Sequence, residues 1–308
     1  MRTSAIGRLL ALGLLLAHPS VGKSDLEFGY TKIIFSSDDH LVTPVSVNHT
    51  PVTWWAVDTG APRSIIDPEL AKRLELQAVD QVKATQGDAD KGSILSIVEP
   101  DDLQIGMFHA GRVACIERSI KNIRSLRTAV WNGKFEKTGL IGLDLLARYG
   151  AIINIRAGKI FFSPTGSLGM SRLGYEQMGF TYVPLAFTGG RLVVNGTISG
   201  EKYAFAIDTG APFTLLEESV RRRANIPFNK AGALTLPFVS GAVFRVKSGT
   251  ADQFKIGDYD AKGATLCFAS FSPRPFAGLI GVDFLYYRSA LIDIGGRALY
   301  LKPSTSGR

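Results

Sequence analysis

The sequence predicts an all-β fold of two pseudo-symmetric lobes with a few short helices, and three observations lead there. The chain repeats itself, its apolar runs are short and β-favouring, and glycine and proline punctuate it densely. Val57-Asp58-Thr59-Gly60-Ala61-Pro62 returns 150 residues later as Ile207-Asp208-Thr209-Gly210-Ala211-Pro212. Gly139-Leu140-Ile141-Gly142-Leu143-Asp144-Leu145-Leu146 returns as Gly278-Leu279-Ile280-Gly281-Val282-Asp283-Phe284-Leu285. Cys115 stands 57 residues after Asp58, and Cys267 stands 59 after Asp208. Each copy closes on an alternating segment, Ala151 to Ile155 and Ala290 to Ile294. Four landmarks matched in one order mark a duplication. The 33 glycines and 14 prolines are about 15% of the 308 residues, slightly above the usual ~12%, which favours tight turns.

In chain order, Met1 to Gly22 has the form of a secretory leader. Arg2 and Arg8 supply the positive start, Leu9 to Ala17 the apolar run, and Ser20-Val21-Gly22 the small residues for cleavage. As a helix that run is ~14 Å long, against ~30 Å of hydrocarbon, so no stable membrane anchor is expected. The expected location is secreted or periplasmic. Lobes are placed at 24–165 and 183–308, with a linker over 166–182, because Ser163-Pro164-Thr165-Gly166-Ser167-Leu168-Gly169 reads as a loop.

Within the first copy, Val45-Ser46-Val47 and Val52 to Val57 flank a turn-like Asn48-His49-Thr50-Pro51. The second copy repeats this as Thr197-Ile198, a turn at Ser199-Gly200-Glu201, and Tyr203 to Ile207. Each Asp-Thr-Gly therefore ends a strand and opens a loop. A helix follows each: Asp67 caps one with Pro68 in its first position, and Glu217 to Ala224 forms the other. Asp144 and Asp283 are expected to cap a further short helix in each copy, a structural rather than a catalytic role.

Composition excludes several function classes. Two cysteines cannot build a disulfide-dense scaffold or a four-thiolate zinc site, and two buried thiols is their simplest reading. Four scattered histidines lack metal-ligand spacing, so neither metal nor cofactor is expected. The net charge is +8, from 35 basic and 27 acidic residues, but no nucleic-acid motif accompanies it. Serine-nucleophile and phosphate-loop motifs are absent.

What remains is the pair of Asp-Thr-Gly loops. A pseudo-two-fold axis can bring Asp58 and Asp208 face to face, and two adjacent carboxylates share one proton because both cannot ionise cheaply. The ionised member then takes a proton from a bound water while the protonated member donates to a substrate carbonyl. Gly60 and Gly210 permit the tight loop and leave N–H groups near the carboxylates. Thr59 and Thr209 can hydrogen-bond across the axis. The apolar strands ending at Gly142 and Gly281 can pack beneath.

On these motifs, with Ile66-Asp67-Pro68-Glu69-Leu70-Ala71-Lys72-Arg73-Leu74, the sequence resembles the aspartic peptidases. It is most similar to the retropepsin-like aspartyl proteases of bacteria, over residues 40–162 and 183–301. The resemblance implies a β-barrel lobe per copy, a cleft between lobes, and endopeptidase activity on a protein or peptide substrate. It also implies Asp58 and Asp208 as the catalytic dyad, and shared-proton chemistry is a standing property of that class. A dyad built within one chain implies a monomer. A catalytically silent peptide-binding protein on the same fold is the alternative.

The sequence departs from the family pattern in three places. Pepsin-type enzymes carry Ser or Thr where Ala61 and Ala211 stand, which removes a hydroxyl donor that would hold the carboxylate ionised. Activity is therefore expected to reach milder pH than in pepsin-type enzymes. The substrate-covering hairpins fall at Thr85 to Gly92 and Val239 to Val243, and the first has no tyrosine. A basic insertion at Arg118 to Lys134 lacks a counterpart in the second copy.

Overall fold

The computed structural model describes residues 29–36, 39–84, 92–120, 137–163, 172–230, 233–237, 243–270 and 275–303. The expected leader, both hairpin tips and most of the basic insertion lie outside the described residues.

The first half opens with β1 (Gly29–Lys32), β2 (Ile34–Phe35), β3 (Leu41–Val47), β4 (Thr53–Val57) and β5 (Ile65–Ile66). Helix α1 (Pro68–Arg73) precedes β6 (Ala78–Lys83), β7 (Ile94–Val98), β8 (Leu103–Ile105), β9 (Phe108–Gly111) and β10 (Cys115–Glu117). Then come β11 (Lys137–Ile141), α2 (Leu143–Arg148), β12 (Ile152–Asn154) and β13 (Lys159–Phe162). Helix α3 (Arg172–Gln177) leads into β14 (Thr181–Pro184), β15 (Ala186–Thr188), β16 (Arg191–Ile198), β17 (Glu201–Ile207) and β18 (Leu215–Glu217). Helix α4 (Glu218–Arg223) is followed by β19 (Leu234–Pro237), β20 (Val243–Ala251), β21 (Phe254–Ile256), β22 (Tyr259–Asp260) and β23 (Ala264–Ala269). The chain finishes with β24 (Gly278–Ile280), α5 (Val282–Tyr287), β25 (Leu291–Asp293) and β26 (Ala298–Leu301).

These strands build one curled ten-stranded sheet per half and a third sheet between them. The first sheet runs β6-β7-β10-β5-β11-β4-β3-β8-β9 with β2 on β3. The second runs β19-β20-β23-β18-β24-β17-β16-β21-β22 with β15 on β16. Strand for strand the orders are identical, so the duplication in sequence is a duplication in topology. The fold is mostly β with two lobes, as the repeat requires. Its six-stranded third sheet, β1-β13-β12-β25-β26-β14, draws three strands from each half. Ile153 pairs with Ile292 at its centre, where β12 and β25 run antiparallel. Both residues are wholly buried, in one apolar core that extends through both halves. Strand β14 and helix α3 occupy part of the 166–182 segment read as a linker.

Local chemistry explains the elements that carry the site. Asn48 and His49 take left-handed backbone (φ 48° and 60°), as do Ser199 and Gly200 (φ 50° and 86°). Two such residues form the hairpin turn whose twist matches the flanking strands, which joins β3 to β4 and β16 to β17. Asp67 caps α1 by accepting from the Glu69 N–H at 3.0 Å, with Pro68 inside the first turn. Glu217 caps α4 in the same manner, accepting from the Ser219 N–H at 2.7 Å. Gly139 sits against the fully buried Trp55, where an added Cβ would come within 2.3 Å of the indole.

Candidate active site

Strand β4 pairs in parallel with β11, and β17 pairs in parallel with β24. Each pairing ends on one further bond: the Asp58 N–H donates to Ile141 O, and the Asp208 N–H to Ile280 O, both at 3.0 Å. The chain then turns sharply, and the carboxylate reaches back to the loop. Asp58 Oδ1 accepts from the N–H groups of Gly60 (2.7 Å) and Ala61 (3.0 Å). Asp208 Oδ1 accepts from Gly210 at 2.9 Å. Only 7% of Asp58 and 8% of Asp208 remain exposed, so each presents little more than its tip.

The two loops are locked by reciprocal bonds across the pseudo-two-fold axis. The Thr59 hydroxyl donates to Ile207 O at 2.8 Å while accepting from the Thr209 N–H at 3.0 Å. The Thr209 hydroxyl donates to Val57 O at 2.8 Å while accepting from the Thr59 N–H at 3.0 Å. Both threonines are wholly buried. The glycines are required by the opposite aspartate: a Cβ on Gly60 would lie 2.4 Å from the Asp208 carboxyl carbon. One on Gly210 would lie 2.3 Å from that of Asp58. Thus Asp58, Thr59, Gly60, Asp208, Thr209 and Gly210 all meet at one point, with each carboxylate against the glycine of the other loop.

Electrostatics follow from this enclosure. Burial raises Asp58 well above the ordinary carboxylate range, and the neighbouring charge of Asp208 raises it further. The Arg191 guanidinium and the Gly60 N–H act in the opposite direction without overcoming either. The pair therefore holds a proton at pH values where an isolated aspartate has lost it.

A second layer props the loops from below, and it corrects the expectation for Asp144 and Asp283. Neither is a helix cap, because Gly142 and Gly281 hold those positions without a side-chain bond. Asp144 instead accepts from the Ser64 hydroxyl (2.8 Å) and Ser64 N–H (3.1 Å), and Asp283 from the Thr214 hydroxyl (2.8 Å) and N–H (2.7 Å). Those hydroxyls accept in turn from the Gly142 and Gly281 N–H groups at 3.0 and 3.1 Å. Sequence reading missed Ser64 and Thr214, although each is a hydroxyl residue six positions past its aspartate.

Burial pushes Asp283 up to about 6 against the donors facing it. Its folded value exceeds that of the unfolded chain, so the stability it contributes is whole below pH ~4 and is lost as pH rises through about 6. Asp283→Asn keeps the accepting oxygen and removes the ionisation. Urea unfolding between pH 4 and 7.5 should accordingly show a flatter pH dependence in this variant, gaining most on the wild type near neutrality. An unchanged slope would contradict it.

Cys115 and Cys267 are free, buried thiols, and burial raises both, Cys267 to about 11. Neither is poised as a nucleophile. Among the described residues no three His, Cys, Asp or Glu side chains converge as metal ligands.

Comparison with known families agrees with the geometry half by half. Residues 43–145 match the model described as "Aspartyl protease", and residues 194–287 match that described as "gag-polyprotein putative aspartyl protease". The chain is an aspartic protease-like protein. Solved structures share this aspartic protease-like fold along nearly the whole chain. An aspartic proteinase from Irpex lacteus is similar at 14% identity and TM-score 0.52, covering 91% of this chain and 98% of that one. Basic 7S globulin from soybean is similar at 12% identity and TM-score 0.53, covering 91% and 95%. Conglutin gamma, a basic 7S globulin from lupine seeds, is similar at 10% identity and TM-score 0.51, covering 91% and 96%. No curated protein matches the sequence. At such identities the likeness shows the fold alone, so activity has to be argued from the aspartates.

Proposed function

We propose that this aspartic protease-like chain is an endopeptidase that hydrolyses peptide bonds through a water activated between Asp58 and Asp208. The observation that carries this reading is the reciprocal Thr59–Thr209 lock. It spends four buried hydrogen bonds on presenting two acids to each other, an arrangement costly for folding and useful for chemistry. One carboxylate accepts a proton from water, and the other donates to the carbonyl oxygen of the scissile bond. Both halves of the dyad come from one chain, so a monomer suffices. Export to a secreted or periplasmic location, with protein or peptide as substrate, belongs to the same proposal.

Digestion of a peptide library across pH 3–7, with and without pepstatin, tests it. Cleavage that is pepstatin-sensitive and persists above pH ~4, where an unperturbed aspartate is ionised, is the expected result. Peptide binding without cleavage at any pH would instead identify a silent binding protein.

A further inference from the structure

The repeat makes each half a control for the other, and the surroundings of the two aspartate loops differ at two corresponding positions. Strand register matches Leu41 of β3 with Leu192 of β16, since Phe35 pairs with Leu41 as Phe187 pairs with Leu192, so the counterpart of Arg191 is His40. Five residues after Asp58 stands Arg63, whereas Phe213 stands five after Asp208. His40 is buried, and Phe213 packs on a small apolar cluster behind the second loop. The arginines are more open: Arg63 is exposed and Arg191 is half-buried.

The segments that carry the two arginines come together although they belong to different halves. Arg191 opens β16 directly after the Gly189–Gly190 turn, whose φ values of 58° and 72° make a tight reversal. A Cβ on Gly190 would sit 3.7 Å from Cβ of Pro62, the residue before Arg63. Arg63 is held by its own backbone, since an added Cβ on Gly142 would fall 2.4 Å from its carbonyl carbon. Arg191 is also near enough to Asp58 to act on its charge. Among the described residues neither guanidinium makes a hydrogen bond or an ion pair.

We propose, resting on the endopeptidase reading, that the side of the cleft bounded by Pro62 selects an acidic side chain of the substrate through Arg63 and Arg191. The opposite side, where His40 is buried and Phe213 packs against its own lobe, has no such selection. A guanidinium fork matches a carboxylate in two bonds, and a partly desolvated cleft strengthens the pairing over its value in open water. The chain's +8 charge adds a long-range attraction for acidic partners.

The test uses peptides carrying a single Glu or Gln at successive positions before and after the cleaved bond, assayed at pH 6 where Glu is ionised. The ratio of kcat/KM for Glu over Gln should reach about tenfold on one side of the bond and stay near one on the other. It should fall to near one in Arg63→Gln/Arg191→Gln, persist in large part in Arg63→Lys/Arg191→Lys, and shrink in high salt. Equal ratios on both sides, or a preference untouched in the Gln variant, would overturn the proposal. Kd values of the same peptides for Asp208→Asn separate it from the reading beneath. One-sided Glu preference in binding without cleavage by the wild type would sink the endopeptidase and keep the acidic selection. Cleavage without preference would do the reverse.

Discussion

Asp208→Asn should lower peptide cleavage by ~10⁴-fold or more while leaving the protein folded and, at neutral pH, more resistant to heat. The activity loss follows from the roles of the pair: an amide can neither share the proton nor exchange it with a bound water, and general acid–base steps contribute ~10²–10⁴ each. The gain in stability comes from the opposite side of the same balance. Asp58 is raised by burial and by the charge of Asp208, so its folded value lies above its unfolded one. The stability linked to it is whole at low pH and is lost as pH rises through the raised value. Removing the Asp208 charge relieves Asp58 of its neighbour's repulsion. Cleavage assays with thermal melts at pH 4 and pH 7 check both halves. A variant that is inactive and also less stable at pH 7 would mean that the carboxylates support the fold rather than strain it.

Thr59→Val should destabilise the protein by about 2–5 kcal/mol, and Thr209→Val should do the same. Valine keeps the shape of threonine but abandons one buried N–H and one buried carbonyl. For Thr59 these are Thr209 N–H and Ile207 O; for Thr209 they are Thr59 N–H and Val57 O. An unpaired buried polar group costs about 1–3 kcal/mol, and each substitution orphans two. The double variant should cost less than the sum, because each hydroxyl contacts the other loop's amide in one shared network. Activity should fall further than stability alone explains, since the lobes stay joined at β12 and β25 while the dyad loses its alignment. Urea titration alongside kcat/KM measures the two effects. Serine, which restores the hydroxyl, should recover most of both.

The site was legible in the sequence because its parts are local and repeated. Asp58-Thr59-Gly60 and Asp208-Thr209-Gly210 name the acids, the lock and the close approach in six residues, and the hairpin turns and the Asp67 cap are equally short-range signals. The joint between the halves was not legible. Strands β12 and β25 are three residues each, and nothing in Ile152-Ile153-Asn154 specifies that its partner is Leu291-Ile292-Asp293. Strand β14 and helix α3 were absorbed into a linker because the Pro/Gly/Ser-rich stretch before them dominates the composition there. Asp144 and Asp283 misled for a physical reason: an aspartate near a helix start ordinarily caps it, but here Ser64 and Thr214 reach up from below and claim the carboxylate. Arg63 and Arg191 were invisible as a pair, since 128 residues separate them and only the fold brings their loops together.

The seam between β12 and β25 bears on how the protein is made. Strand β12 is complete by residue 154, but the strand that covers its open edge spans residues 291–293. During synthesis the first half thus waits, with unpaired backbone amides and carbonyls along an apolar rim, until more than a hundred further residues have left the ribosome. An uncovered strand edge is a template for misplaced pairing between nascent chains. Slow or interrupted translation of the second half is therefore the moment at which this molecule is most exposed to aggregation.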